Sequence, residues 1–245
     1  MKSQIKYGVI LLSVFCIAFF SCKKKEYAPP YLGYDYFPNN VGHYVIYECD
    51  SIVVNPFKSS TPPFDTFKYQ IKEVIDSIYN NNQGQPTQRI VRYKRADSVT
   101  NTLPWSSILV PEKVWTGTLL PNMATRLEDN NNYVKLVFPI SANEIWNGNA
   151  INSMAAWNYQ YTTLNIPATI NGHTFDSTLT VMQQSYSSFF QYQYYYEQYA
   201  TGVGLIYKEV IDYSDTSFVS NPPPSFIATS GTVFYSETYL SSGNQ

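Results

Sequence analysis

Charge is scarce in this chain of 245 residues: Asp, Glu, Lys and Arg together make up 14% of it, against roughly 25% in ordinary soluble domains. Histidine and cysteine are scarcer still, at two and three residues, so a closed site of four Cys or His ligands cannot be built within one chain. His-Glu-x-x-His, the calcium-loop pattern, Gly-x-Ser-x-Gly, Ser-x-x-Lys and a complete Gly-x-Gly-x-x-Gly are all missing. The strong helix formers Ala, Leu, Glu and Lys are few, which argues against a mainly helical fold. After the N-terminus there is no run of ~18 uncharged apolar residues to span a membrane as a helix. What the chain has in excess is rings: 23 Tyr, 14 Phe and 4 Trp, with 15 Pro and 11 Gly as punctuation. Disorder, coiled coil and collagen are excluded by that composition.

The N-terminus reads as an address. Lys2 and Lys6 precede an apolar run from Gly8 to Phe20, followed by Ser21-Cys22 and then Lys23-Lys24-Lys25. A basic start and ~13 apolar residues form a signal-peptide core, too short to span. The small residue before Cys22 resembles the lipobox of bacterial lipoproteins, and Phe19 three positions before the cysteine resembles the looser lipoboxes of the Bacteroidota. That resemblance implies cleavage before Cys22 and lipidation of its thiol, and two or three acyl chains would hold the protein on a membrane. The expected organisation is a signal peptide over 1–21, a lipidated cysteine and extended tether over 22–40, and a β-domain over 41–245. Removing the first 21 residues takes Cys16, Lys2 and Lys6 with them, so the formal net charge moves from −2 to −4. Cys49 is then the lone thiol, without a disulfide partner; its place among alternating residues His43 to Asp50 predicts a buried core thiol.

Period-two alternation and β-rich composition predict strands near 43–54, 65–79, 87–97, 112–120, 123–129, 132–140, 158–161, 163–170, 174–183, 205–213 and 232–239. Asn80 to Pro86, Asn130-Asn131-Asn132 and Asn171-Gly172 carry the turn chemistry of antiparallel hairpins. The segment 192–200 is consistent with a strand or with a helical turn capped by Gly202. The predicted fold is a single antiparallel β-domain of about ten strands, a curved sheet, half-barrel or sandwich with at most short helices.

Chemistry-bearing patterns are weak. His173 follows a hairpin turn and His43 opens a strand, as structural histidines do. Glu48 and Asp50 share a strand face like ordinary solvated carboxylates. Arg89, Arg92, Lys94 and Arg95 read as the solvent face of a basic strand, and the acidic net charge disfavours nucleic acid. No metal, cofactor or catalytic residue is predicted. The speculative ligand contacts are Tyr192, Tyr194, Tyr195, Tyr196 and Tyr199, whose rings could stack on a sugar, line an apolar cavity, or simply pack across strands.

The opening Tyr36-Phe37-Pro38 to Ile52, the blocks Tyr69 to Glu73 and Trp146 to Asn149, and Tyr199-Ala200-Thr201-Gly202-Val203-Gly204-Leu205-Ile206-Tyr207-Lys208-Glu209 resemble uncharacterised Bacteroidota lipoproteins. The last block is also similar to one in periplasmic proteins with a lipoprotein-carrier half-barrel, which implies an apolar groove. The resulting expectation is a non-enzymatic lipoprotein of the cell envelope, anchored by lipid in the outer membrane and binding a partner protein or an apolar ligand. The alternative is a surface glycan-binding accessory lipoprotein that uses exposed aromatics. A concave apolar cavity would favour the first and a flat row of coplanar rings the second.

Overall fold

Twelve strands account for nearly all of the regular structure, in a computed structural model that describes residues 30–55, 57–59, 63–96, 103–188, 191–214 and 232–245. The expected signal peptide, Cys22 and the last residue of the predicted strand 87–97 lie outside the described residues. The strands are β1 (His43–Val54), β2 (Phe64–Asn80), β3 (Pro86–Ala96), β4 (Lys113–Leu119), β5 (Met123–Glu128), β6 (Asn131–Val137), β7 (Ile145–Asn147), β8 (Asn158–Ile170), β9 (His173–Ser187), β10 (Gln191–Ala200), β11 (Gly204–Ser214) and β12 (Thr232–Asn244). No α-helix occurs among the described residues; two short 3-10 turns, Tyr34–Tyr36 and Trp105–Ser107, are the helical content.

All twelve strands form one antiparallel, nearly closed, barrel-like sheet in the order β6-β5-β4-β3-β2-β1-β12-β11-β10-β9-β8-β7. Every strand pairs with its neighbour in the chain except β6 with β7, which end the sheet, and β1 and β12 join the two halves over the register His43↔Asn244 to Val53↔Thr232. The hairpins arise where local chemistry permits a reversal. Asn171 (φ 49°) and Gly172 (φ 79°) both adopt the left-handed conformation between β8 and β9, as the Asn-Gly pair predicts. The β5–β6 reversal is made by Asp129 (φ 46°) and Asn130 (φ 71°), one residue earlier than the asparagine run suggests.

The two free edges, β6 and β7–β8, face each other and are stitched without a ladder. Val134 N–H donates to the Gly148 carbonyl and the Trp146 indole to the Val134 carbonyl, both at 2.9 Å. The Tyr161 hydroxyl exchanges two further bonds with the Val137 backbone. Edges that would otherwise invite pairing with another chain are thereby largely occupied.

Four points of the sequence reading change. The segments 158–161 and 163–170 are one strand, β8, whose register shifts between Tyr161 and Thr163. The segment 192–200 is a strand throughout, and the three-residue β7 is new. The compact unit begins at Leu32, so Leu32 to Asn40 belongs to the barrel and not to a tether. Tyr36 is wholly buried, its hydroxyl bonded to Asn165 Oδ1 at 2.9 Å and Ser177 Oγ at 2.8 Å. The Tyr34 hydroxyl donates to the Pro121 carbonyl, and Gly202 N–H donates to the Asp35 carbonyl. Gln88 Nε2 donates to the Pro38 carbonyl and to Asn39 Oδ1. The segment is a plug seated in one end of the barrel.

Candidate ligand site in the barrel lumen

Alternation decides what enters the lumen. On β1 the inward positions are Val45, Tyr47, Cys49 and Ser51; on β3 they are Gln88, Ile90, Arg92 and Lys94; on β11, Lys208 and Val210. Read along these strands, the interior passes through three levels. Below the plug, Val45, Ile75, Ile90, Val203 and Leu205 surround a small space of about 60 Å³. A layer of charges follows, and beyond it two chambers of about 520 and 270 Å³. A barrel of eight strands can be filled by side chains, whereas wider ones leave a lumen; here the plug and long charged side chains fill part of it.

The charged layer contains four cations and four carboxylates. Arg92 Nε lies 3.0 Å from Glu73 Oε1, and the same guanidinium binds Glu237 by a short contact. Arg126 binds Glu73, and its Nε lies 3.9 Å from Glu128. Lys135 Nζ lies 2.5 Å from Glu197 and 3.5 Å from Glu128. Lys208 stands 3.7 Å from Glu197 and 3.8 Å from Glu128. Two tyrosines add to these contacts: Tyr199 donates to the second oxygen of Glu197 at 2.6 Å, and Tyr235 donates at 2.5 Å to the Glu237 oxygen that Arg92 also binds. The Arg92 guanidinium also sits 3.8 Å above the Trp115 ring, an attraction that strengthens when both are desolvated.

Burial of Glu128, Glu197 and Glu237 would raise their pKa, but the surrounding cations reverse the effect. Lys135 and Lys208 hold Glu128 well below its ordinary 4.5, and they also lower Glu197. Arg92 lowers Glu237. Lys135 and Lys208, which burial would push down, are raised chiefly by Glu128. All of these groups are therefore charged at neutral pH.

The larger chamber is walled by Tyr69, Arg92, Trp115, Glu128, Lys208 and Tyr235, with Lys94, Glu112, Lys113 and Asp129 also lining it. The smaller is walled by Tyr133, Trp157, Tyr159, Gln183, Tyr195 and Val210. Glu128, Asp129 and Lys208 belong to both walls. The site is concave, as a binding cavity should be, yet its lining is charged and aromatic, so it is neither an apolar groove nor a flat exposed row of rings.

The five tyrosines singled out in the sequence do not form one surface. Tyr195 lines the smaller chamber and donates to Asp212 at 2.5 Å; Tyr199 is buried against the charged layer. Tyr194 and Tyr196 occupy the opposite face of β10, in edge contact with each other, and Tyr196 packs on Tyr207; Tyr192 shares their parity. The basic strand reading is also corrected. Arg92 points inward and is 5% exposed, because it has two carboxylates waiting there, while Arg89 pairs with Asp76 on the outside. Asp50 pairs with exposed Lys68, an ordinary surface contact.

Other candidates for chemistry have structural work. His43 Nε2 lies 3.0 Å from the Val203 carbonyl, and His173 packs edge-on against Tyr239 beside its hairpin. Cys49 is wholly buried, and burial pushes its thiol pKa well up, as expected for a core thiol. No cluster of three or more His, Cys, Asp or Glu suited to a metal ion occurs among the described residues.

No protein-family model matches the chain, and no curated protein does. Among solved structures it is similar to a protein of Bacteroides fragilis assigned as exported and as having a YmcC-like fold. The alignment covers 85% of this chain and 98% of that one, at 11% identity and a TM-score of 0.38.

Proposed function

We propose that this chain is a non-enzymatic lipoprotein of the cell envelope, anchored in the outer membrane through Cys22, whose barrel lumen binds a small polar solute. The observation that carries the reading is the pair of adjoining chambers, of which the larger, about 520 Å³, falls within the range of small-molecule sites. Their walls combine fixed charges with rings, the lining that orients a polar ligand. The apolar space beneath the plug, about 60 Å³, accommodates a few waters and no acyl chain.

Binding without catalysis is supported by the state of the carboxylates. An acid–base pair of the glycosidase type needs one carboxyl kept protonated near neutral pH, whereas Glu128, Glu197 and Glu237 are all held ionised. Two measurements test the reading. Acyl labelling and membrane association should be lost in Cys22→Ala; unchanged labelling would remove the anchor. A thermal-shift panel of water-soluble solutes and of lipids should yield stabilisation by a solute; stabilisation by lipids alone would overturn the polar lumen.

A further inference from the structure

From three unused hydrogen-bond donors on residues that wall the smaller chamber, we infer that it seats one neutral sugar ring; the inference rests on the lumen being the binding site and names its ligand class. Gln183 is 8% exposed, and its Nε2 finds no acceptor among the described residues. The Trp157 indole Nε1 is likewise buried and without an acceptor among them. Buried donors are normally paired, and an unpaired one is costly, so two in one wall are a request for acceptor oxygens. Lys208 is the third: its ammonium approaches Glu197 and Glu128 only to 3.7 and 3.8 Å, outside hydrogen-bonding distance, whereas Lys135 reaches Glu197 at 2.5 Å.

The charge of the ligand follows from the charges already there. In the wall of this chamber Lys135 and Lys208 lie beside Glu128 and share Glu197, and Asp129 is paired with Lys113 at 2.6 Å, so that three cations balance three carboxylates. Neither an added anion nor an added cation meets an uncompensated partner. The available donors therefore suit neutral oxygens, such as hydroxyl or carbonyl groups. The remaining wall is aromatic: Tyr195 lies 5.5 Å from Trp157 in a tilted pair, and Tyr133 and Tyr159 complete it. A molecule with neutral acceptor oxygens around its rim and C–H faces for rings to cover is a saccharide. Seating it requires the Trp157 and Gln183 side chains to turn their nitrogens from the wall toward the chamber.

The test uses the full-length lipidated protein in detergent micelles and isothermal calorimetry with four probes: glucose, N-acetylglucosamine, glucuronate and octanoate. A neutral sugar is expected to bind. Trp157→Phe, which keeps a ring and removes the N–H, and Gln183→Leu should each weaken it about tenfold, the loss of roughly one hydrogen bond to a buried donor, with circular dichroism unchanged. Should Gln183→Leu not fold, Trp157→Phe carries the test alone. Val210→Trp, which fills the chamber, should abolish binding. Glucuronate binding without either neutral sugar, lost in Val210→Trp, would overturn the sugar assignment and leave the polar lumen site standing, whereas octanoate binding alone would overturn both. No binding by any probe would count against both. Neutral-sugar binding unchanged in Trp157→Phe would place the sugar elsewhere and overturn the inference.

Discussion

The Tyr161 hydroxyl accepts the Val137 amide hydrogen and donates to the Val137 carbonyl, both at 2.9 Å. One phenol on β8 thus replaces a missing strand partner for the edge of β6, and the ring behind it packs 4.6 Å from Trp146. Closure of this barrel is achieved by side chains where the ladder stops.

Tyr161→Phe keeps the ring and orphans both Val137 groups. The expected cost is about 1–3 kcal/mol, the penalty of leaving buried polar groups unsatisfied. It should appear as a lower urea midpoint and faster exchange of the Val137 amide, with the other strands protected as before.

Glu73 is the hinge of the charged layer, because it holds both Arg92 and Arg126. Glu73→Leu leaves Arg126 with Glu128 alone at 3.9 Å, and breaking a buried pair on one side costs about 3–5 kcal/mol. Replacing Lys135, Glu197 and Tyr199 together by Met, Leu and Phe should instead be neutral or stabilising, since Lys208 and Glu128 keep each other and the buried hydroxyl that bonds Glu197 goes with its acceptor. Chemical denaturation of the two variants distinguishes a layer kept for stability from one kept for the shape and charge of the lumen.

Stability should fall at both ends of the pH scale. Glu128, Glu197 and Glu237 have folded pKa values below the ordinary 4.5. Their contribution is therefore complete above that value and is lost as pH falls through the folded ones. Lys135 and Lys208 are raised above 10.5, and burial raises Tyr47 and Tyr199 above 10.0. Those contributions are complete below pH 10 and disappear as the unfolded chain releases its protons above it. Urea midpoints between pH 2 and pH 12 should give a plateau flanked by two declines, and tyrosine absorbance should show Tyr47 and Tyr199 ionising only with unfolding.

Cys49 should be inert to thiol reagents in the folded protein and react stoichiometrically in denaturant. Burial excludes the reagent and disfavours the thiolate together. Reaction at an appreciable rate without unfolding would mean that the barrel opens between β1 and its neighbours.

The strands were legible because alternation and turn chemistry are local. Residues 43–54 form the strand that the pattern predicts, and Asn171-Gly172 makes the expected reversal. The lumen was not legible, because inward and outward faces look alike when the inside is charged: Arg92 and Arg89 belong to one basic run, and only the positions of Glu73 and Glu237 on β2 and β12 separate them. The even alternation of Arg92 with Ile90 and Gln88, and of Glu237 with Tyr235 and Tyr239, was the available signal. Tyr36 and Phe37 looked like tether because prolines and asparagines follow them, yet their rings required burial. The tyrosine cluster was recognised by density, whereas the sheet divides it by parity, leaving Tyr195 at the chamber.

The most direct test of the central claim compares the natural protein with Val210→Trp by saturation-transfer NMR against a mixture of small polar solutes. The account predicts transfer to at least one solute in the natural protein and none in the filled variant, with the same fold by circular dichroism. Transfer in neither protein would contradict a ligand site in the lumen, and equal transfer in both would exclude the smaller chamber, which Val210 lines.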